Sequence, residues 1–83
     1  MWEPKEPIVI AGYTLTTAEA WLRNFTQEYS RLTRRVVHLE ELADWAIELY
    51  PANANLDPVE LAREEFKKYG QVIPIQPSAT RQG

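Results

Sequence analysis

The residues that could do chemistry are few, and their spacing limits what they could do. His38 is the only histidine in the chain, and there is no cysteine. Glu41 lies three residues after His38 on the same side of a helix, so a histidine–carboxylate pair is conceivable there. A structural zinc site usually asks for about four ligands and a catalytic one for about three, which a single histidine without clustered partners does not supply. No serine or threonine has a base to activate it other than His38. Glu40-Glu41 and Glu64-Glu65 are adjacent pairs. Neighbours on a helix point about 100° apart, so neither pair forms a shared-proton dyad by itself. The three glycines are scattered and make neither phosphate-binding fingerprint. No enzyme activity, metal or cofactor is expected.

Arginine and tryptophan carry the stronger signals. Residues 23–35 hold Arg23, Arg31, Arg34 and Arg35 against Glu28, a net +3, whereas residues 39–65 hold eight carboxylates against Arg63, a net −7. A basic cluster at the end of a helix complements its dipole. It also suits phosphate contacts or an acidic partner. The chain is acidic overall, at −3, and that field opposes nucleic acid. A helix-turn-helix fits poorly as well. The third helix would present Asp57 and Glu60 at the end that normally enters the groove, and the gap before it exceeds the usual turn of about 3–4 residues. Tryptophan is enriched at binding hot spots. Trp21 and Trp45 sit at the edges of apolar stripes, as either core or contact residues. Trp2 lies in a proline-rich arm that either folds back or is presented to a partner. The expected partner-binding set is Trp2, Trp21, Trp45, Leu49, Arg31, Arg34 and Arg35.

The elements that must position these residues can be read from caps and periodicity. Residues 1–7, with two prolines and three charges, read as an extended arm. Ile8 to Leu15 is β-branched and aromatic with Gly12 inside it, which predicts a short strand or two half-strands bent at the glycine. Thr16-Thr17-Ala18-Glu19 fits a capping box. Behind it Ala18, Trp21, Leu22, Phe25, Tyr29 and Leu32 fall in one arc of a helix over 17–33. A second helix is predicted from His38 to Tyr50, stopped by Pro51. Its apolar arc of Leu39, Leu42, Ala43, Trp45, Ala46, Leu49 and Tyr50, with Ile47 at the edge, is wide enough to demand two neighbours, or one neighbour and an outside partner. Asp57-Pro58-Val59-Glu60 starts a third helix and Gly70 ends it. Val59, Ala62, Phe66 and Tyr69 share its apolar face, and Leu61 falls outside it beside Glu65 and Lys68. Val72-Ile73-Pro74-Ile75 could pair with Ile8–Ile10 and join the chain ends in a ribbon.

These elements predict a mainly α fold, a compact three-helix domain over 8–76 with a short β-strand or two-stranded ribbon near the termini, and a disordered tail over 77–83. Eighty-three residues, 45% hydrophobic and 25% charged, match one globular domain. The longest apolar run, Ile8–Ala11, is far below the about 20 residues of a membrane span. No signal peptide is read in Met-Trp-Glu-Pro-Lys-Glu-Pro, and the missing cysteines suit a reducing, cytoplasmic setting.

The stretch Ile8-Val9-Ile10-Ala11-Gly12-Tyr13-Thr14-Leu15-Thr16, followed by an Ala/Glu-rich helix, resembles the opening of small uncharacterised phage-encoded proteins. They share a strand, a glycine, then Leu-Thr starting a helix. The likeness covers about a dozen residues, and Ala11 stands where that turn has an asparagine. It implies a phage or mobile-element origin and transfers no functional residue. The function expected is a non-enzymatic protein-binding module, an accessory or inhibitor that docks stoichiometrically or self-associates around Trp45 and Leu49. The alternative is a small nucleic-acid-associated regulator using Arg31, Arg34 and Arg35.

Overall fold

A computed structural model describes residues 2–74. In chain order the elements are β1 (Val9–Ile10), β2 (Tyr13–Thr14), α1 (Thr17–Leu32), α2 (Leu39–Asn53) and α3 (Pro58–Tyr69). The fold is mainly α, with three helices and a two-stranded antiparallel ribbon near the N-terminus.

The ribbon forms within the stretch Ile8–Leu15. Val9 pairs with Thr14 and Ile10 with Tyr13. Ala11 and Gly12 make the turn at φ of 53° and 81°. Positive φ at both central residues is the two-residue hairpin geometry whose twist matches the strands. Gly12 therefore bends one stretch into two half-strands. The expected pairing of Val72–Ile75 with Ile8–Ile10 is corrected. Val72, Ile73 and Pro74 form no strand, and the Ile8 carbonyl is engaged locally, accepting from the Leu15 N–H at 2.9 Å. Ile75 and the tail over 77–83 lie outside the described residues.

Helix α1 begins as its sequence dictates. Thr16 Oγ1 accepts from the Glu19 N–H at 3.1 Å, and Glu19 Oε1 accepts from the Thr16 N–H at 2.9 Å. Two of the orphan donors at the helix start are thereby satisfied. Its buried side carries an aromatic ladder at four-residue spacing. Trp21 stacks on Phe25 with centroids 5.5 Å apart, and Phe25 on Tyr29 at 5.9 Å. The other helices close on this ladder with aromatic edges: Trp45 of α2 against Phe25 and Tyr29, Tyr50 of α2 against Trp21, and Phe66 of α3 against Tyr29. Edge-to-face contacts of this kind add about 0.5–1.5 kcal/mol per pair beyond area burial. Helix α1 packs against both α2 and α3. Those two meet through Trp45 and Tyr69, with ring centroids 5.8 Å apart.

Two helical expectations are corrected. Helix α2 does not stop at Pro51 but continues to Asn53. Proline removes one donor and crowds the carbonyl four residues back. That carbonyl belongs to Ile47, an exposed residue, where a tilt toward solvent costs little. Asn53 Nδ2 donates to the Leu49 carbonyl at 2.7 Å and helps close the last turn. In α3 the buried residues are Pro58, Ala62 and Glu65, with Leu61 and Phe66 half-buried against the core, so the expected face holds at Ala62 and Phe66 but not at Tyr69. Leu61 packs against the core, Glu65 is buried and Tyr69 is exposed. The caps of α3 match expectation: Asp57 Oδ1 accepts from the Val59 and Glu60 N–H groups, and Gly70, at φ 61°, donates to the Phe66 carbonyl at 2.8 Å.

Candidate functional site

The expected aromatic contact residues belong to the interior. Trp21 is 0% exposed and Trp45 4%, so neither presents area to a partner. Leu49 is half-buried against the same core. Trp21 Nε1 donates to the Leu56 carbonyl at 3.0 Å, the partner a buried indole N–H needs. Trp2 folds back. It packs against the core, and its backbone N–H donates to the Ala54 carbonyl at 3.2 Å. Trp21 and Trp45 thus spend their area on the interior, and Trp2 and Leu49 keep part of theirs at the surface: a chain this small needs its largest aromatics to make a core.

The arginines are at the surface, and the local backbone explains their arrangement. After Leu32 the chain makes a Schellman turn. Arg35 N–H donates to the Ser30 carbonyl at 2.8 Å, and Arg34 N–H to the Arg31 carbonyl at 3.1 Å. This turn normally uses glycine in the left-handed region. Here Arg34 and Arg35 adopt φ of 59° and 63°. A side-chain-bearing residue costs about 1–2 kcal/mol in that conformation. Thr33, buried beneath the turn, donates from Oγ1 to the Ser30 carbonyl at 3.0 Å.

The turn swings the chain into α2 and closes one end of an open groove of about 540 Å³. Its walls are Arg23, Thr26, Gln27, Ser30, Arg31, Arg35 and Leu39. Arg23, Gln27 and Arg31 follow one another at four-residue intervals, so the α1 wall is a single ridge, and Arg35, in the turn beyond the helix, closes its end. Arg31 forks onto Glu28, with Nε to Oε1 at 3.0 Å and Nη2 to Oε2 at 2.7 Å. Arg63 of α3 donates to the same carboxylate at 2.9 Å. Hydrogen bonding from Arg31, against the opposing effect of burial and with help from Arg63, holds the Glu28 carboxyl down at about 2. Arg23 donates to Gln27 Oε1 at 3.3 Å. No hydrogen bond engages the guanidinium of Arg34 or Arg35 among the described residues. The groove thus offers Arg23 and Arg35 to an anion, with Arg31 partly neutralised between them.

Opposite the arginines the groove is lined by Leu39, the start of an exposed apolar row that runs on along α2 beyond the groove. Leu39 is 63% exposed, Ile47 is 56% exposed, and Ala43 between them is exposed as well. At four-residue spacing they form one row on α2. This is the surplus that the wide apolar arc predicted. The arc's buried half, Leu42, Trp45 and Ala46, meets α1, and its edge does not. Glu40, Asp44 and Glu48 lie on the far side of the row, all exposed. His38 occupies the N-cap position of α2, exposed and making no cap hydrogen bond, and no bond joins it to Glu41 among the described residues. Among those residues no helix is long and apolar enough to cross a membrane.

Sequence reasoning found Arg31 and Arg35 but not the groove. The four-residue series through Arg23 and Gln27 was visible in the sequence. The placement of Leu39 opposite it was not, because that depends on the direction in which the Arg34–Arg35 turn sends the chain. Compared with protein-family models, curated proteins and solved structures, the chain matches none, which leaves the resemblance of its Ile8–Thr16 opening as the sequence states it.

Proposed function

We propose that this chain is a non-enzymatic protein-binding module, an accessory or inhibitor that docks stoichiometrically on a protein partner through the groove between α1 and the start of α2. One observation carries the reading: an exposed leucine, Leu39, shares a groove with Arg23, Arg31 and Arg35. Guanidinium groups beside a contiguous apolar row suit a protein segment that brings both carboxylates and aliphatic carbon. Interfaces bury such apolar centres and ring them with polar groups. A nucleic-acid reading through Arg31, Arg34 and Arg35 rests on the same arginines. It is weakened by the Glu28 fork on Arg31 and by the carboxylates of Glu40 and Asp44 beyond the apolar row, which repel phosphate.

The test is affinity capture from a lysate of the source organism with the wild-type chain and with Arg35→Glu/Leu39→Ser. A protein recovered in stoichiometric amount by the wild type and lost from the variant supports the reading. Equal recovery by both baits overturns it. Recovery of nucleic acid alone, released steeply by salt as counterions are recaptured, moves the assignment to the alternative.

A further inference from the structure

We propose that the segment received by this groove is helix α2 of a second copy of the same chain, in a two-fold dimer with the two α2 helices parallel. The inference rests on the reading of the groove as a docking surface and names its occupant. Across this face the side chains run in three stripes. A basic stripe, Arg23, Arg31 and Arg35, lines one side. The apolar row Leu39, Ala43 and Ile47 lies in the middle, and Glu40, Asp44 and Glu48 form an acidic stripe beyond it. Stripes in the order basic, apolar, acidic are self-complementary under one symmetry operation only.

A two-fold axis laid along the apolar row turns the second copy so that its acidic stripe faces the basic stripe of the first, and the reverse. An axis across the row would set arginine against arginine and carboxylate against carboxylate. Isologous contacts of the first kind close at two copies. Like charges placed opposite one another exclude the second kind. Ala43 lies at the midpoint of the row, where a small side chain lets two helices approach, with Leu39 and Ile47 flanking the crossing. Row-into-groove packing at four-residue spacing is the commonest way for helices to meet. A standard interface takes about 800 Å² from each partner, roughly a seventh of this chain's 5765 Å². Repulsion between two copies of net charge −3 is screened within about 8 Å at physiological salt.

Because the chain has no cysteine, single-cysteine variants report contacts without background. The expected results are as follows: light scattering behind size exclusion gives twice 9.6 kDa at about 100 μM, and Ala43→Cys oxidises to a cross-linked dimer while Glu64→Cys on α3 does not. The Glu40→Arg/Asp44→Arg variant dimerises at least about 10-fold more weakly, and adding Arg23→Glu/Arg35→Glu restores the association. Circular dichroism confirms that each variant is folded. A monomer at that concentration overturns the proposal, as does a dimer in which Ala43→Cys fails to cross-link or Leu39→Cys links preferentially to Ile47→Cys. A monomer whose captured partner is still lost with Arg35→Glu/Leu39→Ser rejects the second copy as occupant and leaves the docking reading standing.

Discussion

Arg34 sits where helix-ending turns ask for glycine, and it keeps its side chain at a cost. Its φ of 59° lies in the left-handed region, and both bonds of the Schellman turn are made around it. Replacement by glycine removes the steric penalty while adding back some freedom to the unfolded chain, so Arg34→Gly should stabilise the domain by about 0.5–1 kcal/mol. In a domain of this size that corresponds to a midpoint about 3–6 °C higher in a thermal melt. An unchanged or lower midpoint would mean that the guanidinium of Arg34 compensates for the strain through a contact of its own. Glu28 behaves in the opposite way, as a single residue that ties two helices together. Its pKa of about 2 lies below the ordinary value of 4.5, so the carboxylate stabilises the fold at neutral pH. That contribution is complete above the unfolded value and is lost as pH falls from 4.5 toward 2. Because Arg31 and Arg63 are themselves well exposed, solvent reduces the gain, and Glu28→Gln should cost about 1–2 kcal/mol at pH 7. The difference from wild type should shrink as the pH of a urea titration is lowered through that window. A pH-independent difference would assign the loss to packing instead.

At the scale of elements, what was legible in the sequence was what short-range physics decides. The capping box Thr16–Glu19, the Asp57-Pro58 start and the Gly70 stop each act within a few residues, and each stands where its pattern predicted. The face of α3 was legible at Ala62 and Phe66 but not at Glu65 and Tyr69, because Tyr69 is the more apolar of the two, yet burial is decided by which side faces α1. Glu65 reaches Lys68 Nζ at 3.4 Å, which lets a carboxylate occupy a buried position. Pro51 was misjudged for a similar reason: a helix already propagating tolerates a proline in its last turn when the crowded carbonyl faces solvent. The tie between α1 and the end of α3 was equally invisible, since it joins residues 41 apart. Tyr29 Oη donates to the Gly70 carbonyl at 2.7 Å. Tyr29→Phe leaves that carbonyl without its donor and should cost about 1–2 kcal/mol in a denaturant melt. Burial, with Glu65 and Tyr69 nearby, pushes the Tyr29 hydroxyl up to about 12. Wild-type stability should therefore hold up to about pH 10 and fall as pH rises toward 12, whereas Tyr29→Phe loses the part of that fall due to Tyr29. Equal alkaline profiles would place the phenol in contact with solvent.

For the molecule as a whole, the packing is centred on one helix. Helix α1 meets both α2 and α3, and its Trp21–Phe25–Tyr29 ladder is the surface on which their aromatic residues converge. The hairpin stands apart. It packs closely against none of the helices, and Val9, Ile10 and Tyr13 remain exposed. Its side-chain tie to them among the described residues is Tyr13 Oη donating to Glu19 Oε1 at 3.0 Å. An isolated two-stranded hairpin is marginal in water, so opening the ribbon need not disturb the core. Local opening free energies run from about zero at such edges up to the global value in the core. Amide hydrogen exchange should show this division directly. Amides bonded within the ribbon should exchange at least about 100-fold faster, relative to unfolded reference rates, than Phe25 and Tyr29 at the centre of α1. The slowest amides of α1 should report global unfolding, and their free energy should rise with Arg34→Gly and fall with Glu28→Gln by the amounts measured in the melts. Ribbon amides should respond to neither substitution, because their exchange passes through an opening that leaves α1 intact. Protection in the ribbon equal to that of α1, shifting with both variants, would instead make hairpin and helices one cooperative unit.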